Sequence, residues 1–209
     1  MRVLILGATG RTGRELVRQA CDRGMDVTAF GREVSRLPAA TSSLRIVQGD
    51  VGNATAVANA IDGQDAVISA LGVGKPLKPD AVVVDGIRNT LTAMKTHGVS
   101  RLIYLSFIGV HDSRAAAGPV VRYIAHFPLR NEIADHEAKE TLIVASETAW
   151  TIVRPPTLTN GAATGRYRDG ESISARSVLP MLSRADVADF MLNQLADDRY
   201  VRRSPRVLP

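Results

Sequence analysis

Two hydrophobic patterns alternate along the chain. Short runs of aliphatic and β-branched residues are typical of buried parallel strands, and apolar residues recurring every three or four positions are typical of helices. The first pattern predicts strands over residues 1–6, 25–30, 44–48, 64–70, 101–106, 151–154 and 177–182. The second predicts helices over residues 14–20, 54–61, 80–97, 134–146 and 183–197. This alternation predicts an α/β protein with a doubly wound parallel sheet.

Length and composition fit one packed domain. The chain has 209 residues, 45% of them hydrophobic, so we expect a single domain over residues 1–209. No apolar run approaches the roughly 20 residues that span a bilayer, and the chain opens on a strand rather than a signal peptide. The single cysteine, Cys21, cannot form an internal disulfide, and its position near a helix end suggests an inert thiol. We therefore expect a cytoplasmic protein without a membrane partner.

The charge distribution does not favour nucleic-acid binding. The formal net charge is +5, but the arginines are dispersed and lack interleaved aromatic residues. Only residues 199–206 are locally basic, and we interpret them as a solvated C-terminal strand and end. An anionic dinucleotide ligand is another reason for a positive balance.

A glycine motif follows the first strand and opens the first helix. Gly7 allows a tight turn, Gly10 allows a phosphate to approach the backbone, and Gly13 allows close packing of helix on strand. Phosphates bind at the positive, unpaired N–H end of such a helix. A plain strand-to-helix turn needs only one or two glycines. The motif therefore predicts a Rossmann-like dinucleotide site whose loop residues are Gly7, Thr9, Gly10, Arg11, Thr12 and Gly13.

The residues after the second strand favour NADP(H) over NAD(H). An acidic residue about 20 positions after the glycine loop binds a free ribose 2′-hydroxyl, whereas an arginine there binds a 2′-phosphate. Arg32 holds that position, and Arg36 and Arg11 add positive charge. Glu33 is adjacent, however, and the alternative is that Arg32 is an ordinary solvated loop residue.

Further cofactor residues are predicted at the ends of the third and fourth strands. Asp50 can accept a hydrogen bond from an adenine amino group while Val51 packs against the ring; the alternative is that Asp50 caps the helix at 54–61. Ala70, Leu71 and Gly72 end the fourth strand at the edge where ligands collect. Residues 75–79 are predicted to form a loop over that edge.

Motifs spread over nearly the whole chain resemble one family. The chain is similar to atypical short-chain dehydrogenases/reductases, and most similar to the group that holds biliverdin-IXβ reductase (flavin reductase) and the NmrA-like NADPH-binding proteins. The resemblance is carried by residues 7–13, 27–28, 32, 35–38, 49–51, 63–67, 86–89, 93–99 and 150–156.

The last part of the chain is predicted to complete the site. Pro155 and Pro156 end the sixth strand and form a wall beside the nicotinamide, because prolines there need no ladder N–H. The family resemblance implies that Thr157 faces the substrate and that small segments around residues 111–133 and 157–176 cover it. Residues 165–170 are expected to form a hairpin within the second segment.

The resemblance also raises an expectation that the sequence does not meet. No tyrosine has a lysine four positions later; at the matching helical positions stand Glu132 and His136. A reductase of ketones needs such a proton donor, whereas a flavin, quinone or tetrapyrrole-like acceptor can take its proton from solvent.

Two further residues are candidates for catalysis. Ser106 ends the fifth strand, where its hydroxyl could donate to a substrate or to a nicotinamide amide. His136, with an ordinary pKa of about 6.5, could bind an anionic group or relay a proton. The alternative for His136 is a surface histidine bonded to Asp135 or to water.

The predicted function is an NADPH-dependent reductase of a conjugated small molecule, acting as a monomer or weak homodimer. The alternative is an NmrA-like NADP(H)-binding redox sensor without turnover; an isomerase using bound NAD is disfavoured by Arg32. No metal is expected, because His111, Asp112 and His126 match no ligand spacing. Hydrolysis is disfavoured, because no Gly-x-Ser-x-Gly surrounds Ser106.

Overall fold

The computed structural model describes residues 1–72, 81–120 and 130–209. The loop predicted over residues 75–79, Asp80 at the start of the predicted third helix, and His126 lie outside the described residues. So does most of the part of segment 111–133 in which a short helix was predicted, over residues 120–127.

Six parallel strands form the central sheet. They are β1 (Arg2–Leu6), β2 (Asp26–Gly31), β3 (Leu44–Gln48), β4 (Ala66–Ser69), β5 (Arg101–Leu105) and β6 (Ala149–Val153). Their order across the sheet is β3-β2-β1-β4-β5-β6, so the direction of winding reverses between β1 and β4. This is the doubly wound, Rossmann-like arrangement, which confirms the predicted fold class.

Five helices cover the two faces of the sheet. They are α1 (Arg11–Asp22), α2 (Ala54–Ile61), α3 (Ala81–His97), α4 (Arg130–Val144) and α5 (Arg184–Asn193). Val3 and Ile5 of β1 are buried with residues of α1 and α5, whereas Leu4 and Leu6 are buried with residues of α2, α3 and α4. Because successive side chains of a strand point to opposite faces, a wholly apolar β1 supplies both halves of the core.

Four short strands beyond β6 correct the prediction for this region. The segment β7 (Thr157–Thr159) pairs in parallel with β9 (Met181–Ser183), and β8 (Arg168–Gly170) pairs antiparallel with β10 (Arg206–Leu208). The hairpin predicted over residues 165–170 is therefore wrong. The strand predicted at 177–182 exists as β9, but it pairs with β7 outside the central sheet.

The C-terminal segment exposes arginines in its first part and is buried at its end. Arg199, Arg202 and Arg203 are exposed, whereas residues 205–208 are buried, and the backbone N–H of Arg154 donates to the carbonyl of Pro205 at 2.9 Å. The interpretation of residues 199–206 as solvated is therefore wrong for the last of them, because β10 pairs with β8 and passes beside the end of β6. The last residues thus lie next to the end of β6, the strand that leads into Pro155 and Pro156.

Candidate active site

A cleft crosses the carboxyl edge of the sheet, where the winding reverses. One part, the large cavity, has a volume of about 760 Å³ and extends towards Ser106, His136 and Pro156. The other part, the small cavity, has a volume of about 240 Å³ and extends towards Arg32. The two are continuous through residues that line both: Gly10, Ala70, Leu71 and Gly72.

The glycine turn lies at the centre of this cleft. Gly7 has a φ of +74°, and a Cβ on it would come within 2.7 Å of the carbonyl oxygen of Ala70. A Cβ on Gly13 would overlap the carbonyl oxygen of Gly7 and the backbone of Ala8. Gly10 occupies the N-cap position of α1 and makes no side-chain cap, so the first N–H groups of the helix are available to an anion.

The small cavity is lined by the residues predicted for the adenosine half of the cofactor, with the exception of Asp50. Arg32 and Arg36 line it together with Val51, and both arginines are exposed. Arg36 is paired with Glu33 at 2.6 Å, so Arg32 is the better-placed cation for a 2′-phosphate. Asp50 does not cap α2: its Oδ1 accepts from the N–H of Gly52 at 2.8 Å, while Asn53 is the cap.

At the other end of the cleft, Ser106 is buried against Glu140. Its hydroxyl donates to the Glu140 carboxylate at 2.5 Å. The expectation that Ser106 donates to a substrate or to a nicotinamide amide is therefore corrected, because its proton is already engaged. On its cavity side the oxygen can still accept a hydrogen bond from an amide N–H.

Glu140 belongs to a network of charges that runs from its own buried carboxylate to the exposed Asp112. The Arg154 guanidinium donates to both of its carboxylate oxygens, at 3.2 and 2.6 Å, and also to Asp112 at 2.6 Å. Arg206 of β10 donates to the other oxygen of Asp112 at 2.9 Å. Burial acts to raise the pKa of Asp112, but the two arginines outweigh burial and hold it below its usual value. Ser106 is thereby connected to the C-terminal strand.

His136 is neutral rather than an ordinary histidine. Burial lowers its pKa to about 3, and the positive charge of Lys139 acts in the same direction. Its Nδ1 lies 2.8 Å from the hydroxyl of Tyr104, whose own pKa is raised well above the usual value by burial and by the charges of Glu140 and Asp135. The unperturbed value of about 6.5 therefore does not apply to the folded protein, and the alternative that His136 is bonded to Asp135 is wrong, because the ring is bonded to Tyr104.

The direction of the hydrogen bond between Tyr104 and His136 decides which nitrogen of the His136 ring carries the proton. If the Tyr104 hydroxyl donates to Nδ1 of His136, then the proton of the neutral ring is on Nε2, and both groups are satisfied. His136 lines the large cavity. It can offer an N–H there, but a neutral imidazole is a poor source of a proton.

Two proline residues line the large cavity, and their position beside the nicotinamide stays a prediction. Pro155 and Pro156 are both buried and line it, and the carbonyl of Pro155 accepts from the N–H of Ile108 at 2.8 Å. Thr157, proposed to face the substrate, is exposed at the start of β7, and it is Leu158 that lines the cavity.

Comparison with known proteins decides the family. A family model described as NAD(P)H-binding matches residues 7–198. The chain belongs to this NAD(P)H-binding family. The matched range contains the glycine turn, the residues that line both cavities, and Ser106 with its partner Glu140. The resemblance stated from the sequence is therefore confirmed at the level of this family.

Curated relatives of the family match only part of their length. The chain is 30% identical over 155 residues to a (4-alkanoyl-5-oxo-2,5-dihydrofuran-3-yl)methyl phosphate reductase of Streptomyces griseus, covering 74% of this chain and 47% of that protein. It is 38% identical over 117 residues to a 3 beta-hydroxysteroid dehydrogenase/Delta 5-->4-isomerase of Mycobacterium tuberculosis, covering 50% of this chain and 31% of that protein. The chain therefore spans less than half the length of these two relatives.

Solved structures share the fold over the whole chain. A short-chain dehydrogenase/reductase of Veillonella parvula, in complex with NADP, has a TM-score of 0.83 at 19% identity and covers 99% of this chain and 93% of its own. ChuY of Escherichia coli O157:H7, an anaerobillin reductase, has a TM-score of 0.80 at 23% identity, covering 99% and 96%. At these identities the likeness shows the fold alone.

Several residues around the cleft were missed from the sequence. Tyr104, Glu140 and Arg154 are separated along the chain, and only the sheet register and α4 bring them together. Arg184 begins α5 and lines the large cavity. A signal for Arg184 existed, since it directly follows Ser183, the residue that caps this helix.

Within residues 1–72, 81–120 and 130–209, no helix is long and apolar enough to cross a membrane. In the same ranges, no group of three or more histidine, cysteine or acidic residues is arranged to hold a metal ion.

Proposed function

We propose that the protein is an NADPH-dependent reductase that transfers a hydride to a flavin, quinone or tetrapyrrole-like acceptor. Bound NADPH would supply the hydride. The observation that carries the proposal is the state of the two candidate catalytic side chains: the Ser106 hydroxyl donates its hydrogen bond to Glu140, and His136 is neutral. Neither is arranged to protonate a ketone oxygen, so the large cavity suits acceptors whose proton comes from solvent.

The geometry supports a division of labour between residues. The turn at Gly7, Gly10 and Gly13 would hold the pyrophosphate, and Arg32 would hold the 2′-phosphate in the small cavity. Ser106 would accept a hydrogen bond from the nicotinamide amide, and His136 Nε2–H would donate to an acceptor oxygen or nitrogen. Pro155 and Pro156 would exclude water and align the acceptor.

Two of the compared proteins support a reductase. The Streptomyces relative and ChuY are both named as reductases, and the Veillonella structure was solved with NADP. These names describe those proteins; for this chain they support the reaction class, and the preference for NADP rests on Arg32.

The test is turnover with a panel of acceptors. We expect the protein to oxidise NADPH in the presence of FMN, riboflavin, menadione or biliverdin, and not with simple ketones. Arg32→Ala should raise the Kd for NADPH about 10- to 100-fold and leave NADH binding unchanged, because a charge-assisted hydrogen bond contributes about 1.5–3 kcal/mol. Arg45→Ala, an exposed arginine of β3, is the matched control.

Three outcomes would contradict the proposal. Faster turnover of ketones or alcohols than of flavins and quinones would mean that a proton donor acts in the cavity after all. Tight NADPH binding without turnover of any acceptor would favour the redox sensor. An equal loss of NADPH and NADH affinity in Arg32→Ala would remove the basis for NADP selection.

A further inference from the structure

A third cavity opens next to the large one and is rich in arginine. This outer cavity has a volume of about 610 Å³ and is lined by the exposed face of α1, by Pro38 and by residues 160–161. Arg11 and Arg184 line both the outer and the large cavity, so the two spaces meet at these side chains. None of the three glycines of the turn lines the outer cavity as the structure describes it.

Three of the four arginines at this junction have no carboxylate partner among the described residues. Arg18 also lines the outer cavity, but it is paired with Glu15 at 3.0 Å and with Asp22 at 2.9 Å. Arg11, Arg14 and Arg184, which we call the arginine rim, form no ion pair with a carboxylate in the part of the chain that the structure describes. Uncompensated like charges lining a cleft attract an anion.

Arg184 is held in place by its neighbours. Its Nη1 donates to Oδ1 of Asn160 at 2.9 Å. The almost fully buried carboxylate of Asp186 accepts from the N–H groups of Thr164 and Gly165, at 2.6 and 2.9 Å, and from the Ser183 hydroxyl at 2.7 Å. These bonds fix the first turn of α5 against residues 160–165, so the guanidinium is positioned in advance.

The electrostatic state of Arg184 agrees with a role in anion binding. Burial lowers its pKa, and the positive charge of Arg11 lowers it further. The two guanidinium groups therefore repel each other when no anion lies between them, and an anion would relieve this repulsion.

Arg184 is the member of the arginine rim that stands apart from the predicted cofactor phosphates, whereas Arg11 directly follows Gly10 in the glycine loop. The 2′-phosphate site at Arg32 is in the small cavity, and the pyrophosphate site is at the glycine turn. Arg184 begins α5, outside both of these sites, and it lines the large cavity, which Ser106 and His136 also line. We propose that the arginine rim binds a carboxylate or phosphate of the acceptor, so that the substrate is a conjugated anion; this rests on the proposed function.

The experiment compares acceptors that differ only in their anionic group. FMN and riboflavin carry the same ring system with and without a phosphate, and biliverdin and its dimethyl ester differ in two carboxylates. We expect at least one anionic member to be favoured in kcat/KM by about 10-fold or more, as for a charge-assisted hydrogen bond. Arg184→Gln should reduce that ratio towards one, because the anionic member loses more kcat/KM than its uncharged partner.

A binding measurement separates this inference from the proposed function. FMN, riboflavin, biliverdin and the dimethyl ester are titrated into the NADP⁺-loaded protein, so the preference is read without turnover. Arg166→Gln removes an exposed arginine that does not line the three cavities as described. It should keep the wild-type preference.

The outcomes for the inference are distinct. If neither anionic compound binds better than its uncharged partner, or if Arg184→Gln weakens both partners equally, the inference is wrong even where turnover occurs. If Arg184→Gln weakens NADPH as much as the acceptor, the arginine rim serves the cofactor and the inference is also wrong. Absence of turnover with a retained binding preference overturns the proposed function alone.

Discussion

His136 lies between the Tyr104 hydroxyl and the large cavity, where burial lowers its pKa from 6.5 to about 3. In the unfolded chain the same imidazole takes up a proton near pH 6.5. Between these two values the unfolded state holds more protons than the folded state, so stability falls as the pH is lowered from about 6.5 towards 3. A histidine that burial keeps neutral therefore makes the protein sensitive to mild acid.

His136→Gln tests this effect. The histidine should account for a loss of about 2 kcal/mol in the free energy of unfolding between pH 7.5 and pH 5, and the variant should lack that loss. Urea denaturation at several pH values measures it. His97→Gln, on the exposed end of α3, controls for the loss of a histidine as such. Parallel pH profiles for wild type and His136→Gln would show that the ring is not held neutral.

At the scale of elements, the unit β1–turn–α1 combines two requirements at neighbouring glycines. Gly13 faces the backbone of Gly7 and Ala8, so it is needed for the packing of helix on turn. Gly10 has an ordinary φ of −69°, and the nearest atom to an added Cβ is the Gly7 carbonyl oxygen at 3.2 Å. Gly13 therefore serves the fold, and Gly10 leaves space for the ligand.

Substitution at the two positions should therefore separate stability from binding. Gly13→Ala gains about 1 kcal/mol of helix propensity but forces a methyl group into backbone atoms, and we expect a net loss of about 1–3 kcal/mol or more. Gly10→Ala should unfold near the wild-type urea midpoint and yet bind NADPH at least about 10-fold more weakly. Loss of stability in Gly10→Ala with unchanged binding would contradict the assignment.

At the scale of the whole molecule, the C-terminal strand β10 packs against residues that surround the candidate active site. Leu208 is fully buried and packs with Ile108, Ala116 and Ala117 next to the end of β5. Arg206, two residues earlier, donates to Asp112. Asp112 also accepts from Arg154, which in turn donates to the Glu140 carboxylate. The C-terminal strand thus contacts the charge network beside the cleft, and the glycine turn near residue 10 lines that cleft.

Leu208→Ala measures how much this support contributes. Truncating a buried leucine costs about 2–5 kcal/mol, depending on how far the site can relax. The free energy of unfolding from urea denaturation should fall by that amount. Val178→Ala truncates a side chain that is 62% exposed, and it should change the stability by less than about 0.5 kcal/mol. Equal effects of the two substitutions would mean that the C-terminal strand is not part of the core.

The sequence by itself determined the central architecture and the cofactor half of the cleft. The strand at residues 44–48 and the helix at 54–61 have the predicted bounds, and the glycine turn has the predicted geometry. These features depend on periodicity, glycine conformation and short-range order along the chain, which can be read locally.

Only the tertiary structure decided the chemistry of the part of the cleft around Ser106 and His136. The proton of Ser106, the charge of His136 and the pairing of β8 with β10 all depend on residues 30 or more positions away. A pKa is set by burial and by neighbouring charges, and a short strand pairs with whichever edge the fold presents to it. Neither is encoded in the residue type or in its spacing, so both appear only once the chain is packed.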